Sequence, residues 1–111
     1  MSHLEPAAID WAVLPETVVH GRIRKRTFTT DRFTVVRYDF PDGAVFPWHA
    51  HPESQATIVL AGTFTFDFGS YQRDYIEGQV IVIPGGVGHE GRAEHGPADI
   101  VCVLTPPRAE G

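Results

Sequence analysis

The 111 residues include one cysteine, Cys102, so no disulfide can form within the chain and a reducing compartment suits it. No apolar run approaches the roughly 20 residues that a helix needs to cross a bilayer. The amino-terminal residues also lack the basic segment and apolar stretch of a secretory leader. The expectation is a cytoplasmic protein with no membrane contact. Positive charge is in short supply: 9 Lys and Arg face 14 Asp and Glu, a net charge of -5, which argues against nucleic acid as a partner. The short basic run Arg22, Arg24, Lys25 and Arg26 reads as a solvated edge strand. Repeats and low-complexity segments are missing, which removes a solenoid from consideration. Helical signal is confined to Ile9 to Val13.

What is present is strand signal, on a chain sized for one domain spanning residues 1–111. Residues 1–17 read as an arm that packs on the body of the domain or on a partner subunit. Phe33 to Phe40 is β-branched and aromatic and ends at the turn Pro41-Asp42-Gly43. Val45 to His51 resumes the extended pattern, and Thr57 to Phe68 forms a long strand or a pair broken near Gly62. Within it Phe64, Phe66 and Phe68 alternate with Thr65 and Asp67, the period of a half-buried strand. Val80 to Ile83 lies between Gly78 and Pro84-Gly85-Gly86, and Ile100 to Leu104 precedes Pro106-Pro107. Short strands separated by glycine and proline turns indicate a closed or double-sheet β architecture.

Two stretches carry residues able to ligate a metal. His49, His51 and Gln55 stand between Gly43 and Gly62; His89, 34 residues beyond Gln55, follows Gly78 and Pro84-Gly85-Gly86. Side chains two apart in a strand share a face, so a strand through Val45 to His51 would turn both imidazoles the same way. Gln55 follows at even offset after a Pro52-Glu53-Ser54 turn. Three imidazole nitrogens and one amide oxygen, with positions left open, suit zinc, nickel, iron, copper, cobalt or manganese.

Both stretches resemble the paired motifs of the cupin superfamily, the first at Gly43, His49, His51 and Gly62, the second at Gly78, Pro84, Gly86 and His89. The resemblance covers residues 43 to 93. It implies an all-β protein, a double-stranded β-helix or jelly-roll barrel, commonly a homodimer, with these histidines on one divalent transition metal ion. It leaves the reaction open, because cupins include dioxygenases, isomerases, lyases, cyclases, sensors and storage proteins. Two positions depart from the family pattern: Gln55 replaces a carboxylate and Ala93 an asparagine. Glu53 stands two residues early for the missing carboxylate and reads as a solvated turn residue.

A neutral Gln55 leaves the ion its full divalent charge, which favours anionic or chelating oxygen ligands and disfavours higher oxidation states. The expectation is a Lewis-acid enzyme of isomerase, cyclase or lyase type acting on a small carbonyl- or carboxylate-bearing substrate. The alternatives are a non-catalytic cupin that binds or senses a small ligand, and an iron-dependent dioxygenase. Small cupins with glutamine here include sugar-ring-opening proteins of uronate degradation and zinc-dependent polyketide cyclases. The ending Leu104-Thr105-Pro106-Pro107-Arg108 is similar to that of the uronate group, but Cys102 and Leu104 stand where that group has an acid and an aromatic. Phe46, Trp48, Phe64 and Phe66 are expected to line the interior. Tyr38, Tyr71 and Tyr75 read as surface or rim packing, with donation to a bound oxyanion as the other possibility, and His20 and His95 are assigned to solvent. Cys102 reads as a small buried hydrophobe, with a thiol facing the interior as the other possibility.

Overall fold

The structure, a computed structural model, describes residues 5–108. Ten strands alternate with short turns: β1 (Thr17–Val19), β2 (Ile23–Thr29), β3 (Thr34–Phe40), β4 (Val45–His49), β5 (Ser54–Ala61), β6 (Thr63–Asp67), β7 (Gln72–Ile76), β8 (Val80–Ile83), β9 (His89–Arg92) and β10 (Ala98–Thr105). They form two antiparallel sheets, a six-stranded one ordered β1-β2-β3-β10-β5-β8 and a four-stranded one ordered β4-β9-β6-β7. The helix expected over Ile9 to Val13 is a single 3-10 turn, Trp11–Val13, whose Asp10 cap accepts a hydrogen bond from the Ala12 amide. The short run has no interior in which an α-helix could propagate. Among the described residues no helix is long and apolar enough to cross a membrane.

Inward positions alternate along the strands as the two-residue period requires. Val36, Tyr38 and Phe40 on β3 and Ala98, Ile100, Cys102 and Leu104 on β10 join Phe64 and Phe66 from the other sheet in one buried cluster. Phe40 meets Phe64 edge-on, with centroids 4.7 Å apart, locking one sheet to the other. Burying each such ring contributes about 2 kcal/mol from area alone.

Three local expectations are revised. The strand after Gly43 stops at His49, so His51 lies in the following loop rather than in a strand with His49. β6 is buried on both sides: Thr65 is fully buried with Phe64 and Phe66, because its hydroxyl donates to Asp74 Oδ1 at 2.6 Å from neighbouring β7. Arg24, Lys25 and Arg26 of the basic run lie on β2, with Arg22 in the turn before it, and β2 is not the edge, since β1 pairs with it over Ile23 to Lys25. Its charges are partnered: Arg24 pairs with Asp39, while Arg26 donates to the Trp11 carbonyl at 2.7 Å and pairs with Glu16.

Candidate metal centre

The four-stranded sheet places His49 and His89 side by side, because they are direct partners in the β4–β9 ladder. A bulge makes this possible. Between Phe46 and His49 the register shifts, three steps along β4 matching two along β9. In a regular strand those residues would face opposite ways, whereas the extra residue lets both face inward. Pro47, with no amide hydrogen to give a ladder, sits in the bulge. Trp48 turns outward; it is 52% exposed and lies against Gly69 and Gly88 rather than in the interior.

His51 enters from the loop, and its ring centroid stands 5.4 Å from that of His49 and 5.3 Å from that of His89, which are themselves 4.4 Å apart. One ligand atom from each of the three histidines lies within 4.8 Å of the others. Each ring is steered by a backbone carbonyl: Nδ1 of His49 donates to Pro47, that of His51 to Glu53, and that of His89 to Val87, at 2.8, 3.0 and 2.9 Å. A carbonyl only accepts, so each Nδ1 carries a proton, and in a neutral imidazole held this way the lone pair is on Nε2. His89 is 1% exposed and its Nε2 has no partner. Burial holds the His89 imidazole down to about 4 and also lowers that of His49, with their imidazole neighbours adding to the effect. Both are neutral at physiological pH, the state in which an imidazole binds a metal.

The six-stranded sheet supplies Gln55, buried at the start of β5. Its Nε2 donates to Thr57 Oγ1 at 2.9 Å and to Cys102 Sγ at 3.6 Å, which turns Oε1 to within 3.0 Å of His51 Nε2. With His51 neutral and its proton on Nδ1, both atoms of that contact are acceptors. Two acceptors at this distance, beside the orphaned His89 nitrogen, form a cradle for a cation. The donor set of imidazoles and a neutral oxygen fits a divalent transition metal.

These groups lie in a cavity of about 60 Å³, enough for a few water-sized groups. Phe40, Phe46, Phe64 and Phe66 line its apolar part. Gly91 leaves room for the Phe64 ring, which a Cβ there would meet at 2.7 Å. Tyr38, assigned to surface or rim packing from sequence with an oxyanion donor as the alternative, is 8% exposed and lines the cavity, and burial raises its phenol well above the usual range, keeping it a neutral donor. Tyr71 is 53% exposed and Tyr75 is partly buried against the core. Cys102 also lines the cavity as a neutral thiol, its pKa pushed up to about 11 by burial. His95 is half exposed and pairs with Asp74 at 3.0 Å, while His20 stacks edge-on against Phe46 outside the cavity lining.

Arg108 is the functional candidate that the sequence did not single out. It is the one Lys, Arg, Asp or Glu side chain among the described residues that lines the cavity. Its Nε donates to Glu53 Oε1 at 2.6 Å and its amide to Thr34 Oγ1 at 2.9 Å. Glu53 is therefore not a solvated turn residue: its side chain is 12% exposed, and the Arg108 guanidinium holds its carboxyl below the usual range. The only available signal was the arginine closing the Pro-Pro-Arg ending.

Two facing sheets enclosing a histidine cluster define a small β protein with a candidate metal centre. The family model for a cupin domain matches residues 36–104, and the chain belongs to the cupin family. No curated protein matches the sequence. Among solved structures, KdgF from Halomonas sp. is 20% identical with a TM-score of 0.86, covering 96% of this chain and 98% of that one. An RmlC-like cupin from Shewanella frigidimarina is 18% identical with a TM-score of 0.85, covering 96% of each chain. The polyketide cyclase RemF from Streptomyces resistomycificus is 16% identical with a TM-score of 0.80, covering 90% of this chain and 79% of that one. At these identities the likeness is one of fold.

Proposed function

We propose that the protein is a metal-dependent enzyme of Lewis-acid type, an isomerase, cyclase or lyase, acting on a small metabolite that carries a carbonyl or carboxylate. The observation that carries this reading is the orphaned His89 Nε2 beside the His49 and His51 imidazoles and Gln55 Oε1, gathered in a cavity whose lining, among the described residues, holds no carboxylate. His49, His51, His89 and Gln55 would hold one divalent ion, whose chemistry when bound is to polarise a carbonyl oxygen. None of these four ligands carries a negative charge that would blunt that polarisation; the Glu53 carboxylate stands behind His51, 3.9 Å from its Nδ1, and is paired with Arg108. Arg108 spends its Nε on Glu53, which leaves the terminal nitrogens of a five-donor fork for an anionic substrate group. Tyr38 and Cys102 are neutral donors along the wall, and the phenylalanines exclude water around the reacting group. That one neighbour in fold is a polyketide cyclase is in keeping with carbonyl chemistry.

The test is turnover by zinc- or cobalt-loaded protein, under strict anaerobiosis, against a panel of small keto acids, hydroxyketones and aldehydic sugar acids followed by NMR. Metal-dependent conversion without oxygen is expected, together with a KM for acidic substrates raised roughly 10-fold or more in Arg108→Gln, the loss of a charge-assisted contact. An absolute oxygen requirement would replace this reading with a dioxygenase. Tight binding without conversion across the panel would replace it with a binding cupin.

The working form proposed is a cytoplasmic homodimer, its buried free thiol suiting a reducing setting that cell fractionation can check. The outward face of the six-stranded sheet supports the dimer. Val80 and Val82 on edge strand β8 are 56% and 71% exposed, and their ladder partners Ile58 and Ala56 continue the apolar surface across β5. The charged end of that sheet is already neutralised by Arg37 and Asp99, so a second copy could cover it without stranding a charge. Val82→Lys is expected to shift the protein to monomer in sedimentation velocity. A wild type that sediments as a monomer at micromolar concentration would end this part of the proposal.

A further inference from the structure

A primary amide has two ends of nearly equal size and opposite electrostatic character. Only its oxygen can face a cation, and the NH2 end would oppose one. Whatever sets the orientation of Gln55 therefore decides whether the centre can take a metal at all. Resting on the metal-binding reading above, we propose that Thr57 is a positioning residue that, together with Cys102, fixes the Gln55 amide with its oxygen toward the imidazoles.

The placement follows from the ladder. Thr57 lies two residues beyond Gln55 on the same face of β5 and directly opposite Cys102 on β10. Gln55 Nε2 reaches Thr57 Oγ1 at 2.9 Å and Cys102 Sγ at 3.6 Å, and Oγ1 and Sγ are themselves 3.3 Å apart. The two amide hydrogens are thus each given an acceptor, and the threonine hydroxyl and the thiol are hydrogen-bonded to one another, which holds the two acceptors in place together. Donating both hydrogens leaves Oε1 more electron-rich, since linked hydrogen bonds polarise one another. Thr57 is fully buried and Cys102 4% exposed, so water is not at hand to replace a lost acceptor. Thr57 touches none of the imidazoles by hydrogen bond, and its influence on the centre runs through Gln55.

The experiment is a cobalt(II) titration followed by visible absorption, which reports both affinity and the donor set. Thr57→Val keeps the shape and removes the acceptor. Its dissociation constant is expected to rise roughly 10- to 100-fold, as for other groups that orient metal ligands, with an altered band pattern. Thr57→Ser, which restores the hydroxyl, is expected to recover both. In a Gln55→Ala background, Thr57→Val should produce no further change, because the residue it positions has gone. Thr57→Ala reads the same loss if Thr57→Val does not accumulate as folded protein. Wild-type affinity and spectrum in Thr57→Val, or an equal loss in the Gln55→Ala background, would overturn the positioning role while leaving the metal centre standing. A wild type that takes up no cobalt overturns the metal reading, and the role of Thr57 goes with it.

Discussion

Replacing His89 by alanine is expected to strip the protein of divalent metal. Structural zinc sites with four ligands are worth about 10–16 kcal/mol, so one imidazole carries on the order of 3 kcal/mol, a factor of a hundred or more in affinity. Elemental analysis of untagged protein should find on the order of one ion per chain in the wild type and almost none in the variant. Gln55→Ala should cost less, because a neutral amide oxygen is the weaker donor. A second readout separates loss of a ligand from loss of fold. In the metal-free wild type the His89 imidazole titrates at about 4 when folded, against an ordinary value near 6.5. The unfolded chain thus binds more protons through that window, and stability falls as pH drops from about 6.5 to about 4. The two values imply a loss of about 3 kcal/mol. His89→Ala should lack most of that acid-dependent loss in urea titrations, retaining a remnant from His49. Full metal content in the variant would show that His89 is an ordinary core histidine, and an unchanged acid profile would show that burial does not hold its imidazole neutral.

The motif spacing made His49, His51 and His89 legible as a set, but the reason they converge was not. A strand running through His51 would have sufficed on paper. Instead β4 ends at His49, a bulge at Pro47 and Trp48 turns that ring inward, and His51 is aimed from the loop by the Glu53 carbonyl. A bulge depends on the partner strand, so period-two reasoning on one segment cannot find it, and Trp48 was accordingly placed inside. Tyr38 failed differently. Its alternation with Val36 and Phe40 was available, and reading the three together would have turned it into the interior. Thr57 could have been found in the same way, from its offset of two from Gln55. Glu53 and Arg108 could not: they are 55 residues apart, and the carboxylate is removed from solvent only because the end of the chain returns across the cavity. The strand-and-turn pattern itself was readable because glycine and proline mark nearly every junction, Gly62 most consequentially.

Gly62→Ala is expected to be among the most destabilising single substitutions in the chain. Gly62 is the one residue between β5, in the six-stranded sheet, and β6, in the four-stranded sheet. Its φ is +77°, a conformation that costs an L side chain about 1–2 kcal/mol. An added Cβ would also stand 2.3 Å from the Pro97 carbonyl oxygen and 3.1 Å from Ala98 Cα. Those are backbone atoms just before and at the start of β10, so no rotamer change relieves the clash, and moving them disturbs one of the two central strands of the larger sheet. A total near 4 kcal/mol, lowering Tm by roughly 15–30 °C, is the expected size. Gly78→Ala supplies the control: its φ is +89°, yet nothing lies within 4 Å of a Cβ there, so only the conformational cost should appear. If the two variants melt at the same temperature, close packing against Pro97 contributes nothing and Gly62 is required only for its backbone angle. If Gly62→Ala melts far lower, the glycine is what lets the chain cross between the sheets tightly enough to bring Gln55 on one of them to His49 and His89 on the other. In that event the folded fraction of Gly62→Ala should also hold cobalt less tightly than Gly78→Ala, since the crossing and the metal centre depend on the same distance between sheets.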